Sequence, residues 1–193
     1  MPAELVPPAT IQSLADTVLG SPALLRVLRE LQQAGFIQNS EEDDPETTQI
    51  LTRLSELGLV DPGHHKPGCE SEPFIWVRNG NGGRVLKHID VALADKLQFN
   101  RHVQTALEAL PERDRQTIRA TVESIAYKQP SAWPPELVSR VSPSEPMYFV
   151  RVHPDYRAVI TVSDTGRIEL VDMMREDTLR QFLERSRDGR RVG

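Results

Sequence analysis

The sequence lacks several features that would define a class of protein at once. Cys69 is the only cysteine, so an internal disulfide is excluded. No apolar run reaches about 18 residues, and the N-terminal segment has neither the basic nor the apolar region of a signal peptide. We therefore expect a cytoplasmic protein without a membrane span.

A strong charge of one sign is also missing. The 193 residues carry a formal net charge of −5. Residues 1–96 hold 8 Lys/Arg and 14 Asp/Glu, whereas residues 97–193 hold 15 and 14. Composition therefore predicts no broadly basic surface, and any binding of phosphate has to come from local clusters of cations.

Metal-binding residue types occur together in a single loop. His64, His65 and Cys69 lie in the Gly/Pro/His-rich segment 61–72. A structural zinc site needs four such ligands, and no second cluster of them follows in the sequence. We interpret these three as polar loop residues and expect neither a metal nor another cofactor.

Helical and strand patterns both occur, which predicts an α+β protein. Capping residues mark several helix boundaries: Ser21 and Pro22 can begin one helix, and Gly35 can end it. In the first half we predict helices over 11–19, 21–36 and 44–58, then a strand and a glycine turn over 73–86. Further along we predict helices over 86–110, 111–129 and 176–187, and strands over 147–153, 156–163 and 167–174.

The two halves differ in kind, with a junction near residues 88–97. The first half has helices followed by a strand and a glycine turn. The second has two helices, a three-stranded meander and a final helix. We therefore predict two domains, residues 1–96 and residues 97–193.

The first predicted domain resembles a winged helix. "ILTRLSELGLVDP" (50–62) would be its third helix and exit, and "FIWVRNGNGGRVL" (74–86) its wing. A winged helix presents its third helix to the major groove of DNA. The candidate nucleic-acid-binding residues are Thr48, Thr52 and Arg53 on this helix, with Thr47 and Gln49 beside them, and Arg78 and Arg84 in the wing.

A different role for this domain stays open. The acidic run 41–44 directly precedes the third helix, which carries a single arginine and no lysine, and such a run repels phosphate. The alternative is a dimerisation domain or an antitoxin-like neutralising domain.

The stretch "MYFVRVHPDYRAVITV" (147–162) predicts a β-hairpin with two arginines near its turn. The three-residue loop 153–155 pairs Arg151 with Arg157, because residues of like parity must share a face. The turn at 164–166 then brings Arg175 level with them, with His153 at the rim. The opposite face is the predicted core, made of Val150, Val152, Ala158, Ile160, Val162, Ile168 and Leu170.

Like charges placed directly across a strand pair are destabilising unless an anion lies between them. The anion could be internal, since Glu169, Asp172, Glu176 and Asp177 lie nearby in the sequence. It could equally be a phosphate held by guanidinium groups. The residues alone leave both interpretations open.

The second half resembles the RelE/ParE superfamily of bacterial toxins. The resemblance is carried by "LEALPERDRQTIRATVESIA" (107–126) and "YFVRVHPDYRAVITVSDTGRIELVDMMREDTLRQFL" (148–183), and it covers about residues 97–187. It implies helices packed on a small antiparallel sheet. RelE-type members cleave mRNA, often on the ribosome, with the 2′-OH of the RNA as nucleophile.

The resemblance implies roles for four residues. Arg151, Arg157 and Arg175 match basic positions in and after the strands, where they would bind phosphate and stabilise the transition state. His153 is the candidate for proton transfer. The first half would then be a fused regulatory or dimerising domain.

Two alternatives remain within the same resemblance. RelE-type nucleases often have a tyrosine or histidine after the arginine that follows the last strand, and "EDTLRQFLERSRDG" (176–189) has neither. One alternative is therefore a non-catalytic regulator that binds DNA or protein. The other is an inhibitor of DNA gyrase, as ParE-type relatives are.

Overall fold

The computed structural model describes residues 8–39, 44–63, 74–142 and 144–180. It has helices and two β-sheets, as expected for an α+β protein. The chain divides into two compact units, residues 1–92 and 93–193, four residues earlier than the predicted division. Among the described residues, none of the helices is both long and apolar enough to cross a membrane.

The first unit begins with the helices that the sequence predicts. Ser21 caps the second helix by accepting a hydrogen bond from the Leu24 amide, and the Asp44 carboxylate accepts one from the Thr47 amide to cap the third. The elements are α1 (Pro8–Gly20), α2 (Pro22–Ala34), β1 (Phe36–Asn39), α3 (Pro45–Glu56), β2 (Val60–Pro62), β3 (Phe74–Arg78) and α4 (Gly80–Ala94).

A three-stranded antiparallel sheet closes this unit, in the order β1-β3-β2. The pair Ile37 and Trp76 is buried on one face, whereas Phe36 and Ile75 are exposed on the other. Strand β1 was not predicted, because its four residues follow Gly35 directly and show no alternation long enough to read.

The predicted wing is wrong in its second half. Residues 80–86 begin helix α4 and do not form a turn and a returning strand. The side-chain oxygen of Asn79 accepts hydrogen bonds from the amides of Asn81 and Gly82, which caps the new helix. A Cβ at Gly82 would collide with the Leu59 carbonyl and with Cγ of Arg78, so this glycine is required by a close approach and not by a turn.

The second unit contains the predicted meander and two further strands. Its elements are β4 (Leu97–Phe99), α5 (Arg101–Glu108), α6 (Glu112–Tyr127), a short 3-10 helix (Pro130–Ala132), β5 (Val138–Arg140), β6 (Met147–Arg151), β7 (Tyr156–Val162) and β8 (Ile168–Arg175). A helix begins at Glu176 and is described as far as Arg180, so the remainder of the predicted helix 176–187 lies outside the described residues. The five-stranded sheet has the order β4-β8-β7-β6-β5.

The continuous helix predicted over 86–110 is wrong. Helix α4 ends at Ala94, and residues 97–99 form β4, which pairs in parallel with β8. A parallel partner distant in sequence leaves no local signal, so the strand is not readable from residues 97–99. Asn100 then caps α5 by accepting a hydrogen bond from the His102 amide.

The core face of the meander is confirmed. Val150, Val152, Ala158, Ile160, Ile168 and Leu170 are buried, and Val162 is half-buried. Arg151 pairs with Arg157 and Ile160 pairs with Leu170, as parity predicts.

A β-bulge changes the register beyond Ile160. Val159 pairs with Asp172 and Ile160 with Leu170, so Val171 has no partner. Arg157 therefore pairs with Met174 instead of Met173, and Arg175 pairs with Tyr156. Because paired residues point to the same face and neighbours alternate, Arg175 lies on the opposite face from Arg157.

Candidate functional site

An open pocket, here called the Arg157 pocket, lies at the turn between β6 and β7. Its volume is about 520 Å³. Besides apolar residues and Thr117, its lining includes Arg151, His153, Arg157, Glu176 and Arg180. Three cations and one carboxylate therefore surround one cavity.

Arg157 is the most buried of these cations, at 8% exposure. Its Nη1 donates hydrogen bonds to the carbonyls of His153 and Tyr156, each at 3.0 Å. Burial lowers the pKa of this guanidinium; the Glu176 carboxylate raises it, and Arg151 lowers it again. The group stays protonated at neutral pH and fixes a positive charge at the base of the pocket.

Glu176 supplies the internal anion that the paired arginines require. Its Oε2 lies 2.7 Å from Nη2 of Arg157, and its Oε1 lies 4.0 Å from Nη2 of Arg180. Oε2 is buried, and its contact with Arg157 does not satisfy hydrogen-bond geometry. The contact between Glu176 and Arg157 is therefore an ion pair.

Arg151 has no such partner. Among the described residues, no carboxylate lies within 4.0 Å of its guanidinium, and its side chain is exposed. It stands directly across the ladder from Arg157, where like charges repel. The pocket thus retains one cation that no carboxylate of the described chain neutralises.

Arg175 does not join the cluster, contrary to the sequence prediction. The bulge places it opposite Tyr156 on the other face of the sheet and brings Glu176 towards Arg157 instead. The expected third arginine is replaced by Arg180, one helical turn after Glu176. Spacing of four residues on a helix could have suggested the Glu176–Arg180 pair, but nothing in the sequence marks the bulge.

His153 lines the Arg157 pocket, and a carboxylate lies near each of its ring nitrogens. Its Nδ1 accepts a hydrogen bond from the Asp155 amide at 3.2 Å, and its Nε2 lies 3.6 Å from Oδ1 of Asp114. Because Nδ1 accepts, the neutral ring carries its proton on Nε2. Nε2 is therefore the atom that can exchange a proton with a ligand.

The predicted nucleic-acid-binding residues on α3 share one helix face. Thr48, Thr52 and Arg53 line a pocket of about 370 Å³ together with Gln49. Arg53 is paired with Glu56 at 2.7 Å, so this surface carries no net positive charge from its one arginine. Thr47 was expected beside them and is instead buried, since its hydroxyl donates to Asp44.

Arg78 and Arg84 lie elsewhere in the first unit. Arg78 packs against Gly82 and Gly83, and its Nε is buried without a hydrogen-bond partner. Arg84 lines a separate groove between α1 and α4 and does not contribute to the α3 pocket. The five predicted residues therefore do not form one pocket.

No cluster of three or more metal-ligating side chains occurs within the ranges that the structure describes. His64, His65 and Cys69 lie outside those ranges. Comparison with known proteins gives no match: no family model, no curated protein and no solved structure is significantly similar to this chain.

Proposed function

We propose that the second unit is a RelE-like endoribonuclease domain that cleaves mRNA at the Arg157 pocket. The observation that carries the proposal is the convergence of Arg151, Arg157, Arg180, His153 and Glu176 around one open cavity. Cations, a histidine and a carboxylate are the groups that RNA cleavage requires when the 2′-OH is the nucleophile.

The order of elements supports the same proposal. Two helices, α5 and α6, precede the β6–β7–β8 meander, and a further helix begins at Glu176. This is the order that the resemblance to RelE-type toxins implies.

The arginines would bind the phosphodiester. Arg151 offers a guanidinium without an internal counter-ion, and Arg157 offers one fixed by two backbone carbonyls. As the 2′-oxygen attacks phosphorus, negative charge grows on the phosphate oxygens, and a fixed cation stabilises that charge more than it stabilises the ground state.

Glu176 and His153 would transfer the protons. The Glu176 carboxylate takes the proton of the 2′-OH as the oxygen–phosphorus bond forms, and the imidazolium form of His153 gives its Nε2 proton to the 5′-oxygen as that bond to phosphorus breaks, which leaves the neutral ring. The products are a 2′,3′-cyclic phosphate and a 5′-hydroxyl. Glu176 directly follows Arg175, and it would act where RelE-type nucleases often have a tyrosine or histidine.

The test uses the full-length chain and a single-stranded RNA. We expect cleavage with 2′,3′-cyclic phosphate ends, and a loss of at least about a hundredfold in rate for Arg157→Gln. Arg175→Gln, which removes an arginine from the other face of the sheet, is the matched control and should cleave like the wild type. Intact RNA with folded wild-type protein, both in vitro and after expression in cells, would refute the enzyme.

For the first unit we propose a winged-helix-like regulatory domain that self-associates and does not bind DNA. The sheet order β1-β3-β2 beside α2 and α3 supports the fold. The neutralised Arg53 disfavours DNA, and Phe36, 52% exposed beside Ile75 on the outer sheet face, favours a second copy as partner.

Sedimentation analysis tests this proposal. Phe36→Gln should weaken self-association, whereas Val91→Gln, at an exposed position on α4, should not. A monomeric wild type at all concentrations would rule out self-association. A salt-dependent gel shift on the protein's own promoter would instead favour the DNA-binding alternative.

A further inference from the structure

A second cationic pocket, here called the Lys96 pocket, lies in the same unit at the turn between β7 and β8. Its volume is about 510 Å³. Three segments form it: the turn before β4, the C-terminal end of α6 and the β7–β8 turn. The charged residues of its lining are Asp95, Lys96, Lys128 and Arg167.

Backbone hydrogen bonds fix the segments that carry two of these cations. The Lys96 carbonyl accepts a hydrogen bond from the Ile168 amide at 2.7 Å, and the Lys128 amide donates to the Ile125 carbonyl at 3.1 Å. The Lys96 ammonium also lies 5.6 Å from the centre of the Tyr127 ring, on the wall of the pocket.

The cations of the Lys96 pocket outnumber its carboxylates, since three cations and only Asp95 line it. Within the described ranges, no carboxylate lies within 4.0 Å of Lys96, Lys128 or Arg167. Lys96 and Arg167 directly precede the paired residues Leu97 and Ile168, so two like charges stand side by side at the end of a ladder. That arrangement is unfavourable unless an anion lies between them.

The two cationic pockets lie at opposite ends of β7. His153 and Arg157 lie where the strand begins, and Gly166 and Arg167 lie just beyond its end. Seven residues of strand span about 20 Å, a distance that a single nucleic-acid strand of several nucleotides can cover. The chain has a net charge of −5, so two pockets lined mainly by cations differ in charge from its average surface.

We infer that the Lys96 pocket binds a backbone phosphate of the same RNA strand whose reacting phosphate lies in the Arg157 pocket. The inference rests on the proposed ribonuclease function. It adds that the substrate is an extended single strand, held at a second point remote from the cleaved bond. Contacts to phosphate position a strand without reading its sequence, so the second pocket would add affinity for longer RNA and no preference for particular bases.

The dependence of affinity on RNA length tests the inference in the full-length protein. For the wild type, an oligonucleotide of about twelve nucleotides should bind at least about tenfold more tightly than a dinucleotide. Combining Lys96→Gln, Lys128→Gln and Arg167→Gln should remove most of that gain and lower the slope of log K against log salt by about 0.7, the value for one phosphate contact. Arg101→Gln, an exposed cation at the start of α5, should keep the wild-type length dependence.

Failure of this inference and failure of the proposed ribonuclease function give different results. If the triple variant keeps the wild-type length dependence while the wild type cleaves RNA, the inference is overturned and the proposed function stands. If the wild type binds no RNA of either length, the proposed function fails, and RNA fails as the ligand of this pocket.

A measurement without RNA tests the pocket itself. Inorganic tripolyphosphate is added to the wild type while amide resonances are followed by NMR. Saturable shifts at Gly166 and Arg167 support an anion site, and their absence overturns it.

Discussion

Oε2 of Glu176 lies 2.7 Å from Nη2 of Arg157, and this contact places a carboxylate inside the pocket where the sequence predicts a third arginine. Three carbonyl or carboxylate oxygens thus lie close to one buried guanidinium. The neighbouring Arg151 has none of them. Of the two arginines paired across β6 and β7, Arg157 therefore has a counter-ion within the protein and Arg151 has none.

Glu176→Gln should destabilise the protein by about 2 kcal/mol, because it leaves the buried charge of Arg157 without its counter-ion. Denaturant unfolding measures the loss. Glu145→Gln removes an exposed carboxylate from the same unit and should change stability by less than about 0.5 kcal/mol. Equal stability of the two variants would show that the ion pair contributes nothing.

Arg151→Gln should separate binding from stability. Removing one of two facing arginines relieves repulsion, so stability should stay within about 0.5 kcal/mol of the wild type or rise slightly. The affinity for RNA should fall several-fold, and the slope of log K against log salt should fall by about 0.7. Arg175→Gln, on the opposite face, should change neither quantity; an equal effect of both variants would contradict the register described here.

Gly82→Ala should destabilise the first unit by about 2 kcal/mol or more. A Cβ at this position would lie 2.9 Å from Cγ of Arg78 and even closer to the oxygen of the Leu59 carbonyl. That carbonyl belongs to the backbone and cannot easily move away. At Gly80 a Cβ meets nothing within 4 Å, so Gly80→Ala should be neutral or stabilising by up to about 1 kcal/mol. Thermal unfolding of both variants measures the difference. Equal stability of Gly82→Ala and Gly80→Ala would contradict the close approach at Gly82.

Trp133→Phe should cost about 1–2 kcal/mol. The indole Nε1 donates a buried hydrogen bond of 2.9 Å to the Ile125 carbonyl near the end of α6, and phenylalanine cannot replace it. Tyr148 stacks edge-on against the same indole with ring centroids 5.0 Å apart, and Tyr148→Phe keeps that ring contact and should be nearly neutral. Urea unfolding distinguishes the two, and equal midpoints would contradict a role for the hydrogen bond.

Local patterns predicted the elements whose cause is local. Ser21 and Pro22 predict the start of α2, and the structure has the same cap. The helix predicted from residue 44 is α3, which Asp44 caps. The hairpin of β6 and β7 was read from the parity of its three-residue loop, including Arg151 opposite Arg157.

Elements whose cause is a distant partner could not be predicted. Strand β4 exists because it pairs in parallel with β8, some seventy residues later, and three residues cannot show alternation. The segment 80–86 was read as a turn because glycine usually marks one. Here a side-chain cap from Asn79 and the close approach of Arg78 give glycine a different reason to occur.

The sequence predicts only those residues of the candidate site that local structure places. His153, Arg151 and Arg157 are placed by one short loop, and all three line the pocket. Glu176 and Arg180 reach it only because the ladder skips Val171. Long-range register thus determined the carboxylate, which is the residue that sets the charge of the pocket.

The unpaired Val171 shifts the alternation of side chains along β8 by one residue. Residues of β8 before Val171 keep the alternation set by the β7–β8 turn. Residues after it point to the face opposite to the one that simple alternation predicts. Deleting this one aliphatic residue would remove the bulge and keep every pair beyond it, including Arg157 with Met174, whereas a ladder that paired Val171 with Val159 would place Met173 opposite Arg157 and Arg175 on the Arg157 face. In any comparison with another sequence, a single gap at this position therefore leaves the faces of the later residues unchanged, and a strand of equal length carries them over only if it has the same bulge.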